Sequence, residues 1–98
     1  MARLMVVSYD VDTTSKEGRT RLRKVGRACL DFGQRVQFSV FECLVSDEQW
    51  VRLRARLLAL HEPTRDSLRF YHLGDVAERR VEHHGVKGSE DPTSLLIV

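Results

Sequence analysis

The chain has 98 residues, of which 42% are hydrophobic and 31% are charged, and its formal net charge is +2. This length predicts one small domain, and the composition is that of a globular protein rather than a disordered chain. No apolar run approaches the length of about 20 residues that a membrane-spanning helix needs. Two cysteines cannot make a disulfide framework or a four-ligand zinc site.

The N-terminal apolar stretch runs directly into Tyr9 and Asp10 and lacks a small-residue cleavage site. We therefore expect no signal peptide, and a reducing cytoplasm suits the low cysteine content. These features exclude membrane proteins, secreted disulfide-rich proteins and multidomain enzymes.

Positive charge is concentrated in the first half of the chain. Residues 1–45 carry eight Lys/Arg against five Asp/Glu, whereas residues 46–98 carry eight against nine. The excess lies between residues 16 and 27. Such a cluster is typical either of a solvated helix face or of a surface that binds an anionic partner.

The first predicted elements are a strand and a helix. Residues 3–11 contain a continuous apolar run, which is typical of a strand covered on both faces. Thr14 and Glu17 have the spacing of a capping box and predict a helix over residues 15–32. One face of this helix is apolar, with Leu22, Val25, Cys29 and Phe32. The opposite face is basic, with Lys16, Arg19, Arg23 and Arg27. We call these four residues the basic stripe.

The middle of the chain predicts extended structure followed by a second helix. Gly33 suits the left-handed position that follows a helix. Residues 34–45 are rich in Val and Phe, and the pattern alone predicts one long strand, with a tight hairpin as the alternative. Ser46 and Gln49 form a second capping box. The apolar stripe of helix two comprises Trp50, Leu53, Leu57 and Leu60, and the helix is predicted to end at residues 62–64.

The last third predicts one strand and an irregular segment. Residues 67–73 alternate apolar and polar, which indicates a strand covered on one face, and Gly74 with Asp75 predicts a turn. Residues 76–94 are predicted to be mostly irregular and mobile, and the apolar residues 95–98 to form a short strand. We divide the chain into a core domain, residues 1–75, and a C-terminal segment, residues 76–98.

This order of elements predicts an α+β fold. With residues 34–45 divided into a hairpin, it is the ferredoxin-like βαββαβ plan with an extra C-terminal strand. That plan places both helices on one face of an antiparallel sheet, yet the first strand is apolar on both sides. Because the chain has no spare element to cover the other face, we predict a homodimer packed sheet to sheet.

Asp10 is the first candidate for chemistry, because it ends an otherwise apolar strand. One interpretation is an aspartate that hydrogen-bonds the following turn, as Asp12 would also do. The other is a ligand for a hard cation. Magnesium accepts one or two carboxylates and keeps several waters, so one Asp10 from each half of a dimer would suffice. Such a metal could position a water and neutralise charge on a phosphodiester.

The basic stripe is the second candidate, because arginine suits contacts with backbone phosphates that carry no sequence information. Aromatic residues that could stack on bases are few, and by burial preference we expect them in the core: Tyr9, Phe38, Phe41 and Trp50. Cys29 is expected to be a core thiol. The histidines have no metal-ligand spacing with one another.

Three segments resemble a known family: residues 7–11 (Val-Ser-Tyr-Asp-Val), residues 33–43 and residues 66–71 (Asp-Ser-Leu-Arg-Phe-Tyr). The stretch Gly-x-x-x-Gln-x-Ser-Val-Phe-Glu, from Gly33 to Glu42, is the most specific part. In motif content, motif order and length the chain resembles the small CRISPR-associated adaptation proteins of the Cas-two family over residues 3–71.

The resemblance implies a ferredoxin-like homodimer in which the last strand pairs with the partner subunit's sheet and residues 34–45 form a hairpin divided near Ser39. It implies that Asp10 of each subunit faces the other across the dimer cleft and binds Mg²⁺ or Mn²⁺. Family members have been assigned metal-dependent endonuclease activity on RNA or double-stranded DNA. Members of the family also form a complex with the CRISPR integrase. In that complex they hold the DNA that is to be inserted as a new spacer.

The candidate site therefore comprises Asp10, as the catalytic and metal-binding residue, and a set that binds nucleic acid: Lys16, Arg19, Arg23, Arg27 and Arg35. Two functions remain open, a DNA-binding adaptor that needs no nuclease activity and a Mg²⁺-dependent endonuclease. A third interpretation is a ferredoxin-like regulatory or small-molecule-binding domain. The basic stripe and the Gln-x-Ser-Val-Phe-Glu stretch argue against it.

Overall fold

The structure, a computed structural model, describes residues 2–75 and 80–86. Its elements in chain order are β1 (Arg3–Asp10), α1 (Lys16–Leu30), β2 (Gly33–Gln37), β3 (Val40–Val45), α2 (Asp47–Leu60) and β4 (Ser67–Asp75). The four strands form one antiparallel sheet in the order β2-β3-β1-β4. The predicted α+β, ferredoxin-like βαββαβ architecture is confirmed.

The core lies between one face of the sheet and both helices. Alternate residues of β1 and β3 supply the sheet side of the core, and the predicted apolar stripes supply the helix side: Met5, Val7, Tyr9, Phe41, Cys43 and Val45 from the sheet, and Val25, Cys29, Leu53 and Leu57 from the helices. Burial raises the pKa of the Cys29 and Cys43 thiols to about 12, so Cys29 is a core thiol as predicted. The period of 3.6 residues in the helices and of 2 in the strands brings these residues together.

The two helix starts differ in how well the sequence predicts them. The capping box of Ser46 and Gln49 is present at the start of α2, as predicted. The predicted cap at Thr14 is wrong, because the Ser15 hydroxyl is the group that accepts from the Gly18 backbone N–H. Thr14 instead donates its backbone N–H and its hydroxyl to Asp12 Oδ1, so it belongs to the preceding turn.

Gly33 is not in the left-handed conformation that we predicted. Helix α1 ends at Leu30 with Asp31 as its C-cap, and Gly33 is the first residue of β2. The constraint there is space. A Cβ at Gly33 would lie 2.2 Å from the Glu42 carbonyl oxygen and 2.7 Å from the Cys43 Cα. Glycine lets β2 begin directly against β3.

Residues 34–45 form a hairpin rather than the single long strand that the pattern alone predicts. Strands β2 and β3 are joined by a two-residue turn at Phe38 and Ser39, with an irregularity in register between Arg35 and Gln37. The resemblance placed the division near Ser39, and that prediction is confirmed.

Strand β4 is longer than predicted. It includes Gly74 and Asp75, so the turn that we predicted at these two residues is wrong. A β-bulge lies opposite Leu4 and Met5, and Gly74 beside it has a positive φ of 81°. In residues 80–86 the structure has no helix and only an isolated bridge at Val81. The predicted terminal strand, residues 95–98, lies outside the described residues. Neither of the two helices in the described part of the chain has the length and apolar character of a membrane-spanning helix.

Candidate active site and nucleic-acid interface

Asp10 lies at the end of β1 on the sheet face opposite the helices. Side chains alternate along β1, so Tyr9 enters the core while Ser8 and Asp10 point the other way. Asp10 pairs in register with Ser67 of β4 and is exposed. An open cleft of about 600 Å³ surrounds it, lined by Ser8, Tyr9, Asp10, Val11, Thr13, Leu22, Phe38, Ser39, Ser67 and Arg69. One carboxylate, several hydroxyls and a guanidinium therefore share one cleft.

The β2–β3 turn is fixed against the end of β1. The Tyr9 backbone N–H donates to the Ser39 carbonyl oxygen at 3.1 Å, and the Tyr9 and Phe41 rings stack with their centroids 6.0 Å apart. These contacts set the position of Ser39 relative to Asp10. The specific Ser-Val-Phe motif of the sequence is the segment that builds this contact.

Arg35 lies beneath the turn rather than in open solvent. Its guanidinium lies 4.8 Å from the Phe41 ring centroid, and Nη1 donates to the Phe38 carbonyl oxygen. Burial raises the pKa of the Tyr9 phenol, and the positive charge of Arg35, together with a hydrogen bond from Arg35, offsets part of that rise. The Tyr9 phenol is therefore neutral near pH 7 and does not serve as a general base in this cleft. Arg35 has a clear structural role in addition to the nucleic-acid contact that we predicted for it.

The donors around Asp10 fit a hard cation only in part. Among residues 2–75 and 80–86, no group of three or more His, Cys, Asp or Glu residues could hold a metal ion. Oxygen donors are the right type for Mg²⁺, and Asp10 is exposed at the rim of a water-accessible cleft. One chain therefore supplies one carboxylate and room for waters.

The basic stripe lies on the solvent side of α1, as the helical period predicts. All four of its side chains are exposed. Arg19 donates to the Thr13 carbonyl oxygen at 3.3 Å, and within the described residues none of the four forms an ion pair. The stripe extends over eleven residue steps, or about 17 Å at 1.5 Å per residue. It is a continuous positive surface along one helix.

Sequence reasoning missed the buried ion pair of Asp66 with Arg21. The Asp66 carboxylate is fully buried and accepts two hydrogen bonds from Arg21, with Arg21 Nε at 2.8 Å. It also accepts from the backbone N–H groups of Asp12, at 3.1 Å, and Glu62, at 2.9 Å. These bonds hold the pKa of Asp66 near 2, and the hydrogen bond from Arg21 contributes most. The pair thus ties the loop after Asp10 to α1 and to the start of β4.

Two other residues of the cleft had no predicted role in it. Arg69 lines the cleft beside Asp10, with its guanidinium 5.5 Å from the Tyr71 ring centroid. Phe38 was expected in the core, and that prediction is wrong, because its side chain is 75% exposed. The signal that could have identified both is topological. Arg69 alternates with core residues of β4, and Phe38 occupies the hairpin turn.

Comparison with known proteins identifies one family that this chain resembles over most of its length. Residues 2–81 match the family described as CRISPR associated protein Cas2. The chain is 52% identical to the "CRISPR-associated endoribonuclease Cas2" of Chlorobaculum tepidum, over 97% of this chain and 99% of that protein. It is 49% identical to the "CRISPR-associated endonuclease Cas2" of Halalkalibacterium halodurans, over 96% of this chain and 98% of that protein.

A solved structure agrees with the fold. The crystal structure of Streptococcus pyogenes Cas2 matches with a TM-score of 0.72 and 48% identity, over 84% of this chain and 99% of that chain. The motifs around Asp10, the hairpin and β4 lie within the matched range of residues 2–81. The chain therefore belongs to the Cas2 family of CRISPR-associated proteins.

Proposed function

We propose that this protein is a CRISPR-associated endonuclease that acts as a homodimer, with Asp10 of each subunit at one shared, metal-dependent site. The observation that carries the proposal is the position of Asp10, exposed on the sheet face away from the helices and grouped with hydroxyls and Arg69 in one cleft. Relatives at 52% and 49% identity are named endoribonuclease and endonuclease, which supports the same reaction class.

The residues of the cleft suit phosphodiester hydrolysis. The Asp10 carboxylate would hold Mg²⁺ or Mn²⁺, and the bound ion would supply positive charge and an activated water. Arg69 would neutralise a non-bridging phosphate oxygen, since guanidinium matches phosphate geometry. Ser39 and Ser67 would orient the phosphate through their hydroxyl groups. Hydrolysis joins the oxygen of water to phosphorus and releases the ester oxygen with a proton.

The homodimer rests on the two faces of β1. Met5 and Val7 pack against the helices, whereas Leu4 and Val6 are the apolar residues of the other face, where Leu4 is buried and Val6 half-buried within the single chain. A second sheet packed on that face would bring two Asp10 carboxylates toward one another. Two carboxylates and several waters form a coordination set that Mg²⁺ accepts.

Metal removal is the direct test of the nuclease. We expect the purified protein to cut labelled single-stranded RNA or double-stranded DNA in Mg²⁺ or Mn²⁺ and to stop completely in EDTA. Cleavage should return when excess Mg²⁺ is restored, because chelation leaves the fold intact. Gel electrophoresis of end-labelled substrate measures the extent of cleavage. Equal cleavage with and without EDTA would contradict the proposal.

A second function is favoured by the basic stripe. An exposed positive surface about 17 Å long suits the backbone of duplex DNA, which carries one charge per about 1.7 Å of helix axis. We propose that this surface binds the DNA held in the spacer-acquisition complex with the CRISPR integrase. Cleavage is not required for that role. The buried free thiols suit a reducing cytoplasm, where both functions would operate.

Charge reversal separates the stripe from general positive charge. We expect the triple variant Arg19→Glu, Arg23→Glu and Arg27→Glu to lose duplex DNA binding at physiological salt. In low salt, its plot of log affinity against log salt concentration should be flatter by about 0.9 for each lost phosphate contact. Fluorescence anisotropy over a salt series measures both quantities.

The matched control makes the same charge change on the exposed face of α2, with Arg52→Glu, Arg54→Glu and Arg56→Glu. We expect this control to keep most of the wild-type affinity and salt slope. If both triple variants lose binding equally, net charge rather than the stripe determines affinity.

A further inference from the structure

The aromatic ring of Phe38 projects from the tip of the β2–β3 hairpin and is largely exposed. Among the described large hydrophobic residues only Val86 is more exposed, and Phe38 is 75% exposed. A lone exposed apolar residue needs no explanation by itself. The surroundings of Phe38 are what make it informative.

The turn that carries Phe38 is held on two sides. Arg35 Nη1 donates to the Phe38 carbonyl oxygen, and the Arg35 guanidinium lies 5.7 Å from the Phe38 ring centroid. The next residue, Ser39, accepts from the Tyr9 backbone N–H at 3.1 Å. The ring is therefore presented by a fixed backbone, and a partner that packs on it would pay little ordering entropy.

Phe38 lies between two clefts of different chemistry. On one side is the cleft that contains Asp10 and Arg69. On the other is a groove of about 320 Å³ whose lining includes Arg23, Arg27, Arg35 and Phe38. Thus two arginines of the basic stripe border an aromatic ring, and the ring borders the carboxylate cleft.

A ligand that fits this arrangement has negative charge along its length and a flat apolar face beside that charge. Single-stranded nucleic acid has both, because its bases are free to leave the stack and lie on an aromatic ring. The interior bases of a duplex are covered on both faces by their neighbours. An acidic peptide would match the arginines but not the ring.

We propose that Phe38 stacks on an unpaired nucleobase of a single-stranded substrate whose phosphates contact Arg23 and Arg27. The inference rests on the proposed action on nucleic acid and adds a residue that positions the strand. The base on Phe38 fixes the strand at the boundary between groove and cleft, so that a neighbouring phosphate enters the cleft of Asp10. Phe38 then favours single strands over duplexes.

Binding in EDTA tests the stacking without cleavage. The probes are a short single-stranded oligouridylate, the same strand with abasic sites, and a blunt DNA duplex. We expect Phe38→Ala to weaken binding of the single strand about tenfold, the scale of one base–aromatic stack, and Phe38→Trp to retain it. The salt slope of Phe38→Ala should match that of the wild type, because stacking releases no counterions.

Matched controls isolate the ring. Val51→Ala removes another exposed apolar side chain, 65% exposed on α2, and should leave binding unchanged. The abasic strand should bind wild type and Phe38→Ala equally. A fluorescent adenine analogue in the single strand should be quenched by wild type and much less by Phe38→Ala.

Each contrary result has a distinct meaning. The stacking proposal would be overturned if Phe38→Ala lost the same amount of affinity for the single strand, the abasic strand and the duplex. It would also be overturned if the wild type bound the single strand and Phe38→Ala bound it equally well. A lower sedimentation mass of Phe38→Ala would overturn it by identifying the ring as a contact between copies. A wild type that binds none of the three probes would overturn the proposed function as well.

Discussion

The variant Asp10→Asn is expected to lose metal-dependent cleavage while keeping its fold. Replacing the carboxylate by an amide removes the charge that holds the cation, and a catalytic cation contributes several kcal/mol to the transition state. We expect the cleavage rate to fall by at least about a hundredfold. The Tm should be unchanged, because Asp10 is exposed and no core contact depends on it.

The matched control is Asp31→Asn, an exposed aspartate at the end of α1 that pairs with Arg56. It changes the net charge by the same amount and should cleave at the wild-type rate. Mg²⁺ should raise the Tm of the wild type and of this control but not of Asp10→Asn, because only a bound ion stabilises the folded state. Cleavage by repurified Asp10→Asn at the wild-type rate would contradict the role of Asp10.

Mixed dimers test whether the two Asp10 residues share one site. When wild type and Asp10→Asn are unfolded together and refolded, random pairing gives wild-type homodimers in proportion to the square of the wild-type fraction. If both carboxylates serve one metal, activity should follow that square. Activity that falls in direct proportion to the wild-type fraction would show that each subunit works alone.

The sequence predicts the fold well where a local pattern has one physical solution. The apolar stripes of α1 and α2 and the capping box at Ser46 specify their elements because burial and hydrogen bonding act within a few residues. The hairpin at residues 38–39 was not predictable from the pattern alone, because no Gly or Asn marks it. Its geometry is set at a distance, by the bond from Tyr9 to Ser39.

The candidate site shows the same division. Asp10 and the basic stripe could be identified because both patterns, a carboxylate at the end of an apolar strand and a charged helix face, can be recognised from the order of residues along the chain. Asp66 could not be recognised as buried, since its partners Arg21 and Asp12 are 45 and 54 residues away. The exposure of Phe38 was missed for the opposite reason, because the burial preference of phenylalanine was applied to a residue that lies in a turn.

The second large effect is expected at the buried pair of Asp66 and Arg21. Removing one partner of a buried pair typically costs about 3–5 kcal/mol, and the lower end of that range applies here because Asp66 is fully buried whereas the Arg21 side chain is 18% exposed. Asp66→Asn should therefore lower the free energy of unfolding by about 3 kcal/mol, measured by urea denaturation. Asp31→Asn should have little effect, since exposed ion pairs contribute about 0–1 kcal/mol.

The pH dependence of stability should change in the acid range. The pKa of Asp66 is lowered in the folded state from 3.8 to about 2. A lowered folded pKa gives stability that is fully present above the unfolded pKa and is lost as pH falls through the folded one. The Asp66 contribution should thus be complete above about pH 4 and disappear toward pH 2, and this part of the acid limb should be missing in Asp66→Asn.

A double variant distinguishes the ion pair from the bonds to the backbone. Arg21→Met with Asp66→Leu replaces both charges by apolar groups of similar size, which often restores stability where charge pairing alone is at stake. Here the backbone N–H groups of Asp12 and Glu62 would also lose their acceptor, and because both hydrogen bonds are partly buried, each unsatisfied donor would cost about 1 kcal/mol. We expect no recovery of stability in the double variant. Full recovery would mean that Asp66 serves Arg21 alone and does not hold the loop after Asp10 in place.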